Sequence, residues 1–353
     1  MKAIVFHGKK NLSYETVPDP RLEKPTDVVV AVRRTAICGS DLHPYHEREV
    51  GLSHGTVMGH EFAGEIVDVG AHVSEFRVSD LVFSPFTVSC GQCFSCRNEL
   101  SSRCGDSQVY GWIDSEHGGL QGTQAEYIRV PLADSTLLKI SESITLEQSI
   151  LLGDNFTTGF FCADMAGIHR DGIYVVIGCG AVGISAIVAA KHLGARTIIA
   201  VDQIDSRLEL ASQVGATATC DPNTAASVLE RETQRTGQCG ADAVMEAVGN
   251  SSAQRLAISL VRPGGTLSVV GVHTAPRFAF APIDAYDKNL TYKTGRCPVR
   301  SYLNRIVPLV VNGTIAIPRV FTHHMPLCDG VEAYQRFDEK RDGCIKIVLS
   351  PDG

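Results

Sequence analysis

The chain has 353 residues, too many for one ordinary hydrophobic core, because cores stop growing near ~250 residues. Its 44% hydrophobic and 20% charged content is near the globular average and excludes a disordered chain. A formal net charge of -7 provides no basic field for phosphate backbones, so nucleic acid is excluded as an expected partner.

The N-terminus and the lengths of the apolar runs predict the compartment. The first eight residues contain an apolar run too short for a signal peptide, and no apolar run approaches the ~20 residues of a membrane span. We therefore expect a cytoplasmic protein with no membrane partner. Twelve cysteines in a reducing compartment argue against disulfides and favour metal ligation where thiols are closely spaced.

The coarse pattern along the chain changes once. Residues 1 to about 150 alternate short β-rich runs with Gly, Pro and Asp, which predicts a compact β-barrel. From about residue 156, apolar strands alternate with helical stretches, which predicts a parallel sheet with helices on both faces. A last apolar strand at 344–349 is expected to rejoin the first domain. The strands predicted in the second region are 174–177, 197–201, 243–246 and 266–270.

Four cysteines lie close together in the first region, with the spacing Cys90-x2-Cys93-x2-Cys96-x7-Cys104. Four thiolates in a loop that contains Gly, Ser and Asn predict a closed structural zinc site. Backbone N–H groups, with Arg97 or Arg103, are expected to compensate its negative charge. An iron–sulfur cluster is the rival interpretation, but the spacing resembles neither common ferredoxin pattern. Because all four positions on the ion are filled, this site has no room for a substrate.

The predicted strand 174–177 runs directly into a glycine-rich turn that opens a helical stretch at 184–193. In this context Gly178 permits the tight turn, Gly180 lets a pyrophosphate approach the backbone, and Gly183 lets helix and strand pack closely. The turn predicts a dinucleotide site at the helix N-terminus. Its full sequence is Gly178-Cys179-Gly180-Ala181-Val182-Gly183.

An acid at the end of the next predicted strand bears on the choice of dinucleotide. Asp202 lies about 20 residues beyond the glycines, where a carboxylate accepts hydrogen bonds from the adenosine ribose. Because Asp202 would repel a 2′-phosphate, NAD is predicted over NADP, although Arg207 is close enough to complicate the choice. The alternative is an ordinary strand-to-helix turn that binds no ligand.

A second set of possible metal ligands is scattered along the chain: Cys38, His60, Glu61 and Asp154. Taken singly, such residues are most often buried filler, turn caps or surface groups. Together with the cysteine lobe and the nucleotide motif, in that order, they resemble the zinc-dependent medium-chain alcohol dehydrogenase family over nearly the whole chain.

That resemblance implies an α/β chain with a GroES-like β-barrel catalytic domain and a doubly wound Rossmann domain. The catalytic domain is expected at 1–155, with the zinc lobe at about 88–106. The Rossmann domain is expected at 156–296, followed by a return to the catalytic domain at 297–353. The resemblance also implies association through the nucleotide-binding domains, as a homotetramer or, alternatively, a homodimer.

The resemblance implies a catalytic zinc as well, so that two zinc ions per chain are expected. Cys38, His60 and Asp154 match its ligands, with an open fourth position, and Glu61 matches a residue behind or transiently on the metal. Two positions depart from some members of the family. Asp154 stands where some animal and yeast branches have cysteine, and Gly39 stands where some members use a basic residue on the pyrophosphate.

Further roles are carried over from the same resemblance. Lys346 matches a basic phosphate contact near the C-terminus, which would partly compensate for Gly39. Ser40 matches the hydroxyl that first accepts the proton of a zinc-bound alcohol, while hydride passes to the nicotinamide. His43 matches the exposed base that ends this relay, or it is simply a surface histidine. The expected nicotinamide contacts are Thr158 and the stretch Val270-Gly271-Val272.

Two questions stay open at this point. A noncatalytic zinc- and nucleotide-binding sensor is the competing class of function, although the intact set of catalytic residues argues against it. Zinc, NAD and a hydroxyl are compatible with primary alcohols, secondary alcohols, polyols and formaldehyde-type hydrates. The stretch 118–127 resembles the microbial, glutathione-independent formaldehyde dehydrogenase-like branch most.

Overall fold

The computed structural model describes residues 1–114, 116–237 and 239–351. Within those ranges the strands are β1 Lys2–Phe6, β2 Leu12–Thr16, β3 Val28–Ile37, β4 Thr56–Val57, β5 Phe62–Val69, β6 Leu81–Phe83, β7 Trp112–Asp114, β8 Gly118–Leu120, β9 Tyr127–Val130, β10 Leu138–Lys139, β11 Ile173–Ile177, β12 Thr197–Val201, β13 Ala218–Cys220, β14 Ala241–Glu246, β15 Val261–Val269, β16 Thr291–Thr294, β17 Phe321–Pro326 and β18 Lys346–Ser350.

The helices vary from single turns to about three turns in length. In chain order they are α1 Leu42–Tyr45, α2 Phe94–Arg97, α3 Ala133–Thr136, α4 Leu146–Gly153, α5 Asn155–Ala166, α6 Ala181–His192, α7 Asp205–Val214, α8 Ala225–Thr236, α9 Ser251–Leu260, α10 Pro282–Asp287, α11 Val299–Val311 and α12 Gly330–Glu339.

The chain divides into two compact units. Unit 1 contains Met1–Asp154, Pro298–Thr314 and Phe321–Gly353, and unit 2 contains Asn155–Cys297 and Ile315–Val320. The sequence assigned all of 297–353 to the first domain, and the structure differs by including Ile315–Val320 in unit 2. This short segment has no periodic pattern that would predict its place, and its side chains Ile315, Ile317 and Val320 are buried.

Unit 1 is organised around the long strand β3. Its valine-rich sequence suits a strand, since β-branched side chains pack well on a pleated surface. β3 pairs antiparallel with β5, β9 and β18, so the C-terminal strand joins the same sheet as the N-terminal region. Among the described residues, this sheet has the path β10-β6-β5-β3-β18-β17, and a smaller sheet has the order β2-β1-β4.

Unit 2 contains a parallel sheet whose described strands run in the order β13-β12-β11-β14-β15-β16. The side chains of β11 are all buried, as expected for a strand covered on both faces. The sequence predicted β11, β12, β14 and β15, and the predicted α/β class is confirmed. Strand order reverses between β11 and β14, which opens a crevice at the carboxyl ends of the strands where such folds bind ligands.

Two further observations bear on the predictions from composition. Among the described helices, none is both long and apolar enough to cross a membrane. In the same part of the chain, no disulfide joins any of the twelve cysteines. Closely spaced thiols are therefore available as metal ligands.

Candidate functional site

Four side chains of unit 1 form a buried group that we call the mixed cluster: Cys38, His60, Glu61 and Asp154. Their ligand atoms all lie within 4.8 Å of one another. Asp154 Oδ2 is 3.3 Å from Cys38 Sγ and 3.4 Å from His60 Nε2. Ligand atoms around a tetrahedral zinc ion, at bonds of about 2.0–2.3 Å, are roughly 3.3–3.8 Å apart. The donor types and their spacing therefore fit one zinc ion.

Strand pairing brings these distant residues together. Cys38 follows β3 directly, and His60 and Glu61 come just before β5. Because β3 and β5 are paired with Thr35 opposite Phe62, the ligands at the two strand ends become neighbours. Asp154 follows α4, whose last residue, Gly153, packs so closely on Ser84 that a Cβ there would lie 2.3 Å from the Ser84 carbonyl oxygen.

Asp41 orients a ligand of this cluster, and sequence reasoning missed it. Its Oδ1 lies 3.0 Å from His60 Nδ1, and its Oδ2 accepts a hydrogen bond from the Cys38 N–H at 2.9 Å. A carboxylate on Nδ1–H turns the Nε2 lone pair toward the metal position. The signal in the sequence was an acid three residues after a candidate thiolate.

Burial and neighbouring charges shift the pKa values of the mixed cluster in opposite directions. Burial raises the pKa of the Cys38 thiol, and the Asp154 and Glu61 carboxylates raise it further. Burial alone would lower the pKa of His60, but Asp41 and Asp154 hold it well above its usual value. His60 in turn outweighs burial at Asp154 and lowers its pKa. A thiol beside two carboxylates becomes a thiolate readily only when a cation balances the charge.

Glu61 is paired with Lys346, a buried residue of β18. The Lys346 ammonium lies 2.6 Å from Glu61 Oε2 and 3.3 Å from the carbonyl oxygen of Ile37. Burial raises the pKa of Glu61 to about 7, and the charge of Lys346 opposes that rise. Because a buried carboxylate requires a charged partner, Glu61 accounts for the burial of this ammonium. The phosphate contact that the family resemblance implies for Lys346 stays a prediction.

The two residues predicted to move a proton lie in different surroundings. Ser40 Oγ is 3.2 Å from His60 Nε2, the ring atom that faces the metal position. His43 lies in α1 and is only 8% exposed, which corrects the exposed base expected from the sequence. The reason is that α1 is a single turn whose residues His43 to Tyr45 are all buried.

The second group in unit 1 is the four-cysteine cluster: Cys90, Cys93, Cys96 and Cys104. Its sulfur atoms also lie within 4.8 Å of one another. The N–H groups of Cys90 and Asp106 donate to Cys104 Sγ at 3.3 and 3.4 Å. N–H groups of Cys96 and Gly105 lower the pKa of Cys93 to about 6, whereas burial raises that of Cys96 to about 12. Main-chain donors therefore supply part of the expected charge compensation, and a cation is needed to keep all four thiols ionised.

The glycine turn of unit 2 has the geometry of a phosphate cradle. Gly178 has a φ of +89°, which an L side chain rarely adopts. A Cβ on Gly183 would lie 1.7 Å from the Gly178 carbonyl oxygen, so α6 can approach the turn only because this position is glycine. A Cβ on Gly180 would meet only Arg207 Nη1, at 3.9 Å. The space above Gly180 therefore fits a pyrophosphate at the N-terminus of α6.

Asp202 and Arg207 both border this turn. Asp202 Oδ2 accepts a hydrogen bond from the Cys179 N–H at 2.7 Å, and Oδ1 accepts one from the Ile204 N–H at 3.0 Å. The carboxylate thus ties the end of β12 to the glycine turn. The turn is therefore bordered by a carboxylate, which could accept from a ribose hydroxyl, and by the Arg207 guanidinium, which could bind a phosphate.

The other predicted cofactor residues lie on three further segments of unit 2. The N–H groups of Val270 and Gly271 donate to the Glu246 carbonyl oxygen at 3.0 and 3.1 Å, which joins the end of β15 to the end of β14. The segments hold Ala181 and Val182 at the start of α6, the half-buried Thr158 in α5, and Val270, Gly271 and Val272 directly after β15.

The sequence matches two family models. Residues 24–142 match the alcohol dehydrogenase GroES-like domain, and residues 181–307 match the zinc-binding dehydrogenase family. These matches, with the parallel sheet of unit 2, confirm the GroES-like and Rossmann parts of the predicted fold class.

Relatives match over most of their length. Zinc-type alcohol dehydrogenase B of Aspergillus flavus is 41% identical over 344 residues, which cover 96% of this chain and 79% of that protein. Formaldehyde dismutase of Pseudomonas putida is 31% identical over 394 residues, covering 100% of this chain and 98% of that protein. Among solved structures, the alcohol dehydrogenase TADH from Thermus sp. ATN1 has a TM-score of 0.90 at 36% identity, with 99% of each chain covered.

Proposed function

Because the chain belongs to the zinc-dependent medium-chain alcohol dehydrogenase family, we propose that it transfers hydride reversibly between a primary or secondary alcohol and NAD. The mixed cluster carries this proposal. Its buried sulfur, nitrogen and oxygen donors lie within 4.8 Å of one another, which suits three zinc ligands and an exchangeable position. Zinc bound there would supply Lewis acidity that stabilises an alkoxide.

Charge balance supports this assignment of ligands. Cys38 and Asp154 would contribute one negative charge each to a divalent cation, and neutral His60 would complete the set. Glu61 has its own partner in Lys346 at 2.6 Å. The two anionic ligands and the divalent cation then balance one another, which limits the cost of removing these charges from water. We assign the structural zinc to the four-cysteine cluster, which makes two zinc ions per chain.

Ser40 is proposed as the first proton acceptor. Its hydroxyl lies 3.2 Å from His60 Nε2, the ring nitrogen that would ligate zinc. This contact places Ser40 beside the proposed zinc ligands, where its hydroxyl could accept a proton from an alcohol. His43 is proposed as the base that receives the proton next. Its burial means that little of the imidazole is in contact with water.

We assign dinucleotide binding to unit 2 and infer a preference for NAD. The open space at Gly180 and the carboxylate of Asp202 support the assignment. Arg207 is the feature that weakens discrimination against NADP, because its guanidinium lies beside the same turn. Thr158 and the stretch Val270-Gly271-Val272 are proposed as nicotinamide contacts.

The test is a turnover assay with metal-replete protein. NAD or NADP is mixed with primary, secondary, aromatic and polyol substrates, and the near-ultraviolet absorbance of the reduced nicotinamide is followed. We expect turnover with NAD on at least one alcohol. A protein that binds zinc and dinucleotide but turns over no alcohol or aldehyde would instead be the noncatalytic sensor.

A matched variant tests the choice of dinucleotide. Asp202→Asn keeps an oxygen that can accept the Cys179 N–H but removes the charge that repels a 2′-phosphate. We expect the ratio of kcat/KM for NAD over NADP to fall by about tenfold or more, as a change of ~1.4 kcal/mol would give. An unchanged ratio contradicts the role of Asp202.

A formaldehyde-type activity is the second candidate. It is supported by the 31% identity to formaldehyde dismutase, which extends over the whole of this chain and nearly all of that protein. Formaldehyde therefore belongs in the substrate panel. A kcat/KM for formaldehyde above those for simple alcohols would favour this candidate.

The assembly is proposed to be a homotetramer, with a homodimer as the alternative. Support comes from large apolar side chains that unit 2 exposes between β15 and β16: Phe278 at 61%, Ile283 at 57% and Tyr286 at 79%. Large apolar side chains left exposed on one segment commonly mark an interface. Light scattering on the purified protein measures the assembly directly. The cytoplasmic location stays a prediction from the sequence.

A further inference from the structure

A fully buried carboxylate, Glu246, lies at the carboxyl end of β14 in unit 2. Its partner in the neighbouring strand is Ile177, the last residue of β11 before the glycine turn. The strand order reverses between these two strands, and doubly wound sheets bind dinucleotides in the crevice at that point. The carboxylate is therefore placed where the loops that border a dinucleotide begin.

The side chain of Glu246 holds both its own loop and the next one. Its Oε1 accepts hydrogen bonds from the N–H groups of Val248 and Gly249, both at 2.7 Å. Its Oε2 lies 2.9 Å from Nε2 of His273, a residue of the loop that follows β15. The Glu246 side chain is fully buried and the His273 imidazole is 18% exposed, so the pair contacts solvent through His273.

The main chain of Glu246 adds two bonds to the same loop. Its carbonyl oxygen accepts the N–H groups of Val270 and Gly271 at 3.0 and 3.1 Å. These residues belong to the stretch 270–272 that we assign to the nicotinamide carboxamide. Glu246 thus holds the beginning of that stretch through its carbonyl oxygen. Through its carboxylate it also holds His273, the residue just beyond the stretch.

Two glycines let the loops after β14 and β15 pack backbone against backbone. A Cβ on Gly271 would lie 2.3 Å from the Gly249 nitrogen and 2.8 Å from Glu246 Oε2. Gly249 has a φ of +82°, and a Cβ there would lie 2.5 Å from the Val272 carbonyl oxygen. The two loops are therefore in close backbone contact, so a shift of one would press on the other.

We propose that Glu246 and His273 form a clasp that holds residues 270–272 in the conformation that receives the nicotinamide end of the dinucleotide. Both are positioning residues, and the proposal rests on the proposed function of unit 2. Without the imidazole, Glu246 Oε2 loses a strong, charge-assisted donor in a buried setting, and the far end of the stretch loses its anchor.

The opposite end of β14 offers a matched control. Asp242 lies near the first residue of the strand, and its Oδ1 is 3.6 Å from His169 Nε2 and 2.8 Å from Arg262 Nη2. This is also a contact between a histidine and a carboxylate of the same strand, but it lies at the amino end of β14, opposite the end that borders the crevice. Its loss tests for a general effect on the sheet.

The experiment compares His273→Leu, His273→Asn and His169→Leu with the wild-type protein. NADH and ADP-ribose, which lacks the nicotinamide, are titrated by calorimetry, and thermal unfolding verifies that each variant is folded. We expect His273→Leu to weaken NADH by about tenfold and ADP-ribose by less than about threefold. His273→Asn, whose amide also donates, should recover part of the NADH affinity, and His169→Leu should change neither ligand.

Two results would overturn the clasp: unchanged NADH affinity in His273→Leu, or equal weakening of NADH and ADP-ribose. If the wild type binds NADPH in preference to NADH, the two ligands to titrate are NADPH and 2′-phospho-ADP-ribose. If the wild type binds neither reduced dinucleotide, the proposed function fails and the clasp fails with it. Wild-type binding with no response to His273→Leu overturns the clasp alone.

Discussion

The two clusters of candidate metal ligands in unit 1 are built in opposite ways. In the four-cysteine cluster, the most distant ligands are 14 positions apart and a single loop supplies them all. In the mixed cluster, Cys38 and Asp154 are 116 positions apart and come from different elements. The first arrangement requires only a local wrap of the chain, whereas the second exists only when β3, β5 and α4 are packed together.

The two clusters also differ in the donor atoms that they offer to a metal ion. Four thiolates would fill every position of a tetrahedral ion, and main-chain N–H groups near Cys104 and Cys93 would compensate part of their charge. The mixed cluster is fully buried, combines three kinds of donor atom and has the Ser40 hydroxyl at its edge. A local saturated site is suited to stability, and an assembled, unsaturated site to reaction.

The largest expected effect tests the mixed cluster. Cys38→Ser should abolish turnover while the protein stays folded, because the ion loses its thiolate ligand. Initial rates, zinc content and thermal unfolding measure the three properties. Cys328→Ser, at an exposed cysteine outside both clusters, is the control and should leave all of them unchanged. Full turnover in Cys38→Ser would remove the mixed cluster from the reaction.

The second effect is on stability and tests the four-cysteine cluster. Cys93→Ser should lower the free energy of unfolding by about 2–5 kcal/mol, because metal binding to this loop contributes to folding. The protein that remains folded should keep its turnover. Urea unfolding and rates corrected for the folded fraction provide the measurement. Loss of turnover without loss of stability would reverse the roles of the two clusters.

The smallest effect sharpens the comparison through a residue that binds no metal. Asp41→Asn weakens the hold on His60 Nδ1 and should lower zinc affinity at the mixed cluster by about 10–100-fold. Competition with chelators of graded strength measures this affinity. Zinc at the four-cysteine cluster is the internal control and should be unaffected. Equal weakening at both clusters would mean that Asp41 acts on the fold as a whole.

Local features could be predicted from the sequence because near neighbours in the chain determine them. The spacing of Cys90 to Cys104, the glycine turn at Gly178 and the apolar strands of the parallel sheet all belong to this class. Each depends on backbone freedom, thiol spacing or periodicity within about twenty residues. Resemblance to a family extended the prediction to Cys38, His60 and Asp154, which no local rule would have grouped.

Only the tertiary structure decided which buried charges meet. Lys346 and Glu61 are 285 positions apart, and they pair because β18 and β3 are adjacent in one sheet. The burial of His43 and the contact of Glu246 with His273 likewise follow from how the elements pack. The physical reason is that a buried ionised group takes its partner from whichever strand or loop lies beside it, and sequence distance does not determine that neighbour.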